Sequence, residues 1–233
     1  MRGQDQGKNI ISPIGAPTSY PHPNVNFDRV APFYRLLETL VFGDQLQQAR
    51  NGFVRQIESP HRALVVGEGN GRFLVELLQA HPSMEIDCVE ASTRMIDLAR
   101  ARLGNERVRF ICIDVRQVAL TEHRYDLIVT HFFLDCFTQA TLPQVIEKLA
   151  RAATHNATWL IADFCLPPQG WRRLRARMLL VAMYAFFRLV AGIEASKLVD
   201  YGPLLRAHDF SLTNEVVAPN EMTRSQVWQR AQL

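Results

Sequence analysis

Three glycines and two strand-end carboxylates carry the most recognisable chemistry in this 233-residue chain. The segment Leu64-Val65-Val66-Gly67-Glu68-Gly69-Asn70-Gly71-Arg72-Phe73 sets a Gly-x-Gly-x-Gly turn after an apolar run and before a helical pattern. Glycine lets the backbone turn tightly and approach a ligand closely. The helix beyond offers unpaired N–H groups at its start. A dinucleotide fingerprint needs glycine at position 72, or at 74 if counted from Gly69, and those positions hold Arg and Leu. A phosphate loop closing on Gly-Lys-Ser/Thr is absent from this turn. About twenty residues on, Glu90 closes a second apolar run, where a carboxylate can accept hydrogen bonds from both ribose hydroxyls of a nucleoside. Asp114 closes a third, after Ile111-Cys112-Ile113, where it can accept from an adenine amino group.

These residues need a scaffold that brings successive strand ends together. The spacing predicts strands at 63–66, 85–89, 108–113, 125–130 and 158–162, with helices at 73–79, 93–103 and 142–153. Each strand is mainly apolar, the pattern of parallel strands buried on both faces. The expected architecture is a doubly wound α/β sheet. Residues 1–24 are rich in Gly and Pro without periodicity and read as a flexible arm. Residues 25–59 read as a helical cap, with Phe33, Leu36, Leu37, Leu40 and Val41 at helical spacing and a second helix over 45–57. A long helix is expected from Trp171 to Ala191, and weaker alternating strands at 211–217 and 225–229.

In this order and spacing the chain resembles the class I S-adenosylmethionine-dependent methyltransferases. The matching elements are Gly67 to Gly71, Val89-Glu90-Ala91-Ser92, Met95, Ile113-Asp114-Val115 and Tyr125 to Val129, over roughly residues 60–165. The resemblance implies a Rossmann-like seven-stranded sheet over 60–233 that ends in an antiparallel hairpin. It also implies a lid helix inserted after strand five, within 170–200. S-adenosylmethionine would be the cofactor and S-adenosylhomocysteine the product. Gly67, Glu68, Gly69, Asn70 and Gly71 would line the methionine moiety, Glu90 with Ala91 and Ser92 the ribose, and Met95, Asp114 and Val115 the adenine. Phe27 to Tyr34 resembles the segment before the core of ubiquinone/menaquinone-type C-methyltransferases, so Tyr34 is expected over the cofactor, and Tyr20 is a weaker candidate. The family usually carries an acid where this chain has Val65, and Glu68 is a candidate to replace it.

The acceptor should meet the cofactor at the loop His131-Phe132-Phe133-Leu134-Asp135-Cys136-Phe137. His131 is a candidate general base and cofactor contact, with Asp135 its orienting partner. The competing reading makes His131 a packed core residue and Asp135 a helix cap. The three phenylalanines suit a small, largely apolar acceptor: quinone-like, phenolic or lipid-like. Asp163 either faces this site or begins a loop.

Composition bounds the rest. Apolar residues make up 48% and charged residues 21%, as in globular domains. A net charge of +3 is too mild to argue for nucleic acid, and the loop lacks the Asn/Asp-Pro-Pro-Tyr/Phe pattern of base methylation. Cys88, Cys112, Cys136 and Cys165 lack metal-ligand spacing and read as reduced, buried thiols of a cytoplasmic protein, with no metal expected. The first residues carry no apolar signal segment. The 171–191 helix pairs arginines with an apolar stretch too short to span a bilayer. Its alternatives are a lid over the site, peripheral contact with a membrane, and a homodimer face. A non-catalytic scaffold that binds S-adenosylmethionine and holds a partner through this helix is the competing function.

Overall fold

The computed structural model describes residues 44–104, 107–219 and 221–231. Its elements in chain order are α1 (Gln45–Asn51), β1 (Arg62–Val66), α2 (Arg72–Ala80), β2 (Glu85–Glu90), α3 (Thr93–Leu103), β3 (Val108–Cys112), β4 (Tyr125–His131), α4 (Leu142–Ala152), β5 (Ala153–Phe164), α5 (Gly170–Ala191), α6 (Gly202–Arg206), β6 (Phe210–Val217) and β7 (Thr223–Arg230). A single 3-10 turn, Leu134–Cys136, follows β4.

The strands form one seven-stranded sheet in the order β3-β2-β1-β4-β5-β7-β6. β1 to β5 run parallel, and β7 and β6 pair antiparallel to close one edge. The sequence expectation of a doubly wound methyltransferase sheet is met. The order reverses between β1 and β4, so chain leaves these neighbours towards opposite faces and opens a crevice at their carboxyl ends.

The apolar runs work because the sheet is covered on both faces. On one face Val65, Leu127 and Val129 pack with Phe73, Leu74 and Leu77 of α2. On the other, Leu64, Val66 and Ile128 meet Val145, Ile146 and Leu149 of α4. A third, smaller cluster joins Leu46 of α1 to Leu180 and Tyr184 of α5 beside the carboxyl ends.

Several boundaries differ from expectation. The second cap helix stops at Asn51 instead of running to 57, because Gly52 packs onto Ser225 and the chain then turns Phe53 and Val54 into the core. β5 begins at Ala153, with a bulge between Tyr125 and Leu127 taking up its early register. The short α6 carries no periodic signal, and Pro203 in its first turn is its local cue. Of the four cysteines only Cys88 is buried; Cys112 is exposed, and Cys136 and Cys165 are half-buried. The arm 1–24, Tyr20, Tyr34 and the cap as far as residue 43 lie outside the described residues.

Candidate active site

The glycine turn leaves β1 at its carboxyl end. Gly67, Gly69 and Gly71 all hold positive φ (69°, 72° and 79°), which other L-residues adopt only under strain. Two of them are also fixed by neighbours. A Cβ at Gly67 would overlap the Phe133 ring, and one at Gly71 would stand 2.8 Å from Ala99 of α3. A Cβ at Gly69 would meet nothing beyond its chain neighbours closer than the Met95 sulfur at 4.0 Å, and this residue faces a cavity.

Two carboxylates hold the turn. Glu90 Oε2 accepts from the Gly69 N–H at 3.0 Å, and Glu90 Oε1 accepts from the Ser92 N–H at 3.0 Å. These two bonds orient the carboxylate. Glu68 Oε1 accepts from the Phe73 N–H at 2.9 Å and caps α2. Burial raises the Glu68 carboxyl to about 7, against the pull of the Arg50 charge. Val65 is an inward-facing core residue of β1. Glu68 and Glu90 between them hold the backbone on both sides of the turn. Ser92 caps α3 by accepting from the Met95 N–H at 3.1 Å.

The cavity has a volume of about 370 Å³, within the range of small-ligand sites. Gly67, Gly69, Glu90, Ala91 and Met95 form one wall, and Asp114, Val115 and Arg116 form its far end. Arg116 Nη2 donates to Asp114 Oδ2 at 2.6 Å, and Arg116 Nη1 donates to Glu194 Oε1 at 2.7 Å. Burial pushes the Asp114 carboxyl up, but the Arg116 hydrogen bonds and charge outweigh it and hold it low. Glu194 lies just beyond α5, so one guanidinium ties the end of that helix to β3's acid.

The remaining wall is apolar. Phe132, Phe133 and Phe137 line it opposite Leu179, Met183 and Phe187 of α5. Phe132 holds a φ of 50°, a strained conformation for an aromatic residue. Its N–H donates to the Ala162 carbonyl at 2.7 Å, and the Arg50 guanidinium lies over its ring at 5.1 Å from the centroid.

One acid enters this wall. Asp135 lies in the 3-10 turn, buried, and lines the cavity. The Tyr184 hydroxyl on α5 donates to Asp135 Oδ2 at 3.3 Å. Burial raises the Asp135 carboxyl to about 6, while hydrogen bonds from Tyr184 and Cys136 work against the rise. Asp163 on β5 is also buried. Burial, and then the negative charge of Asp135, hold its carboxyl well above the usual range.

His131 departs from expectation. It is buried, continues the face of Leu127 and Val129, and stacks edge-on against Phe73 at 4.4 Å between ring centroids. It is not on the cavity wall. Burial, reinforced by the Arg50 charge, holds its pKa well below 6.5. In this structure His131 thus packs behind the turn, off the cavity wall, and the group that orients Asp135 is Tyr184. Glu68, Asn70, Gly71 and Ser92 shape the turn from behind and do not line the cavity, whereas Gly67, Gly69, Glu90, Ala91, Met95, Asp114 and Val115 do.

Sequence reading missed Arg116, Glu194, Tyr184 and Arg50. Tyr184 had a signal: it carries the one hydroxyl in the apolar stretch from Met178 to Phe187. Arg116, two residues after Asp114, had another. Arg50 and Glu194 come from distant segments and had none.

The donor set fits a nucleoside carrying an amino-acid tail. A turn open to ligand at Gly69 leads to a ribose-height carboxylate at Glu90, a thioether at Met95 and an acid at Asp114. The comparisons agree. Residues 63–156 match the family model described as "Methyltransferase domain". Malonyl-[acyl-carrier protein] O-methyltransferase of Anoxybacillus flavithermus is 32% identical over 47% of this chain and 41% of its own length. Demethylmenaquinone methyltransferase of Deinococcus radiodurans is 28% identical over 62% of this chain and 61% of its own. The chain thus spans 41% and 61% of these two curated relatives, less than two thirds of either. A Burkholderia thailandensis 1,6-didemethyltoxoflavin-N1-methyltransferase shares the fold, with a TM-score of 0.63 at 17% identity over 94% of each chain. Motif order and sheet order agree with the methyltransferase-domain match over residues 63–156, and the chain is similar to class I S-adenosylmethionine-dependent methyltransferases.

Proposed function

We propose that this protein transfers a methyl group to a small, largely apolar acceptor whose reacting atom is an acidic hydroxyl or an equivalent proton-bearing group. The observation that carries the reading is the placement of Asp135. It is the acid set in the aromatic wall of the same cavity that Glu90 enters from the opposite side. Bound S-adenosylmethionine supplies an activated methyl on a sulfonium. The chain's residues then have three tasks. Glu90 and the glycine turn hold the donor. Phe132, Phe133, Phe137 and the inner face of α5 hold an apolar acceptor and exclude water, so that alignment supplies much of the rate. Asp135, kept in place by Tyr184, takes the acceptor's proton and leaves it on Oδ.

The two relatives act, by name, on a malonyl carrier and on demethylmenaquinone. The phenylalanine wall favours a ring acceptor of the second kind. The non-catalytic scaffold rested on Val65, and the hold of Glu68 and Glu90 on the turn weakens that support. Calorimetric titration with S-adenosylmethionine and S-adenosylhomocysteine, with NAD as control, tests the first half of the proposal. Binding of both sulfur compounds and not of NAD is expected. A screen of phenols, hydroquinones and carboxylic acids with mass detection of the methylated product tests the second. Binding without transfer to any of these would remove Asp135 as base.

A further inference from the structure

The outer face of α5 is built unlike the rest of the surface. Trp171, Leu174, Met178, Val181 and Leu189 are 70%, 53%, 64%, 56% and 86% exposed. At about 100° per residue these five fall within a sector of roughly 80°. The opposite face, with Ala176, Leu180 and Tyr184, is buried against the domain. Arg175 stands at one edge of the exposed stripe, and Arg177 and Arg188 at the other, all three exposed. Arg172 lies 3.9 Å from Glu221, and Arg173 donates to the Pro167 and Pro168 carbonyls, so both are already engaged at the helix start. The 22-residue helix carries no acidic residue.

We propose that this face docks onto an anionic lipid surface, with the apolar stripe in the headgroup boundary and Arg175, Arg177 and Arg188 on phosphates along both edges. Charge complementarity selects this occupant. A second copy seated stripe to stripe would bring arginines against arginines, with no carboxylate on either helix to receive them. Basic residues flanking a narrow apolar stripe match an interfacial helix lying in the membrane plane. Among the described residues no helix is long and apolar enough to cross a membrane, so docking is on the surface. The inference rests on the proposed function in one respect. The inner face of the same helix lines the acceptor wall through Leu179, Met183 and Phe187, so docking would deliver a lipid-soluble acceptor to that wall.

Flotation with phosphatidylcholine vesicles, with and without phosphatidylglycerol, tests the surface independently of catalysis. The protein is expected to float with the anionic vesicles, to stay behind with phosphatidylcholine alone, and to be released by added salt. Met178→Glu with Leu189→Glu should abolish flotation while leaving S-adenosylmethionine binding and circular dichroism unchanged, since both side chains are exposed and off the cavity wall. Arg175→Gln, Arg177→Gln and Arg188→Gln together should weaken partition by roughly a hundredfold, at about one lipid-bound charge each. Absence of flotation with anionic vesicles would overturn the proposal. So would unchanged flotation of the glutamate variant, or a dimer in sedimentation equilibrium that Met178→Glu dissociates. Failure of the cofactor titration with flotation intact would instead refute the proposed function alone.

Discussion

The two ends of the parallel strands are made from similar residues put to opposite uses. At the amino ends every prominent charge is paired. Arg109 donates to both Asp87 oxygens at 2.7 and 2.6 Å, the Tyr125 hydroxyl donates to the same carboxylate at 2.7 Å, and Asp126 accepts from the His61 and Arg62 N–H groups. At the carboxyl ends Glu90 and Asp135 are oriented by a few donors and left facing a cavity. Tyr125 and Tyr184 play parallel parts, each donating to a buried aspartate, yet one closes a strut and the other leaves a carboxylate on a wall. The contrast points to a buried acid as a functional candidate when a cavity adjoins it, not by burial alone.

The sharpest way to break that contrast is Glu90→Ala. Loss of an ionised acceptor for two hydroxyls should weaken S-adenosylmethionine binding by on the order of a hundredfold in calorimetry. His131→Ala should weaken it far less, because that ring packs behind the turn. Equal losses would return His131 to the site. Asp87→Asn is the counterpart at the amino ends. It should lower unfolding free energy in urea by about 2 kcal/mol, discounted because the Arg109 side chain is 54% exposed. Cofactor affinity of its folded fraction should not change.

Asp135→Asn sharpens the comparison within the site. The carboxylate is the active form, so wild-type kcat/KM for a hydroxyl acceptor should fall as pH drops through about 6. In the variant the rate should be about a hundredfold lower and this limb should vanish, with cofactor affinity unchanged. A surviving limb would assign the titration elsewhere.

The smallest effect concerns Glu68. Its folded carboxyl sits at about 7 against 4.5 for the free side chain. Between those values the folded protein holds a proton that the unfolded chain has released, so stability falls as pH rises through the window. The contribution is at most ~3 kcal/mol over the whole range. Glu68→Gln keeps an acceptor for the Phe73 N–H and removes the penalty. It should flatten the pH dependence of the melting temperature and raise stability above pH 7.

What could be read from the sequence follows from how locally each feature is determined. The glycine turn belongs to one strand-turn-helix unit and Glu90 with Ser92 to the next, so local spacing located them. The sheet order came with the alternation of buried strands and helices. For His131 the sequence left two readings open, because a base and a packed ring on one loop look alike there. The period of two along Leu127, Val129 and His131 points the ring at α2, and that period was available. Asp135 found its partner in Tyr184 across 49 positions, which only the fold reveals. Arg116 similarly finds its second partner in Glu194, 78 positions on.

That last contact has a bearing on timing. Arg116 joins Asp114 to Glu194 just beyond the Gly192 terminus of α5. The helix that walls the acceptor cavity is therefore latched at its carboxyl end to the nucleoside end of the site. Any cycle in which α5 lifts to exchange acceptor for product must break that ion pair. Ionic strength then pulls on the protein in two directions, loosening the latch and hastening exchange while weakening the hold of the same helix on a charged surface.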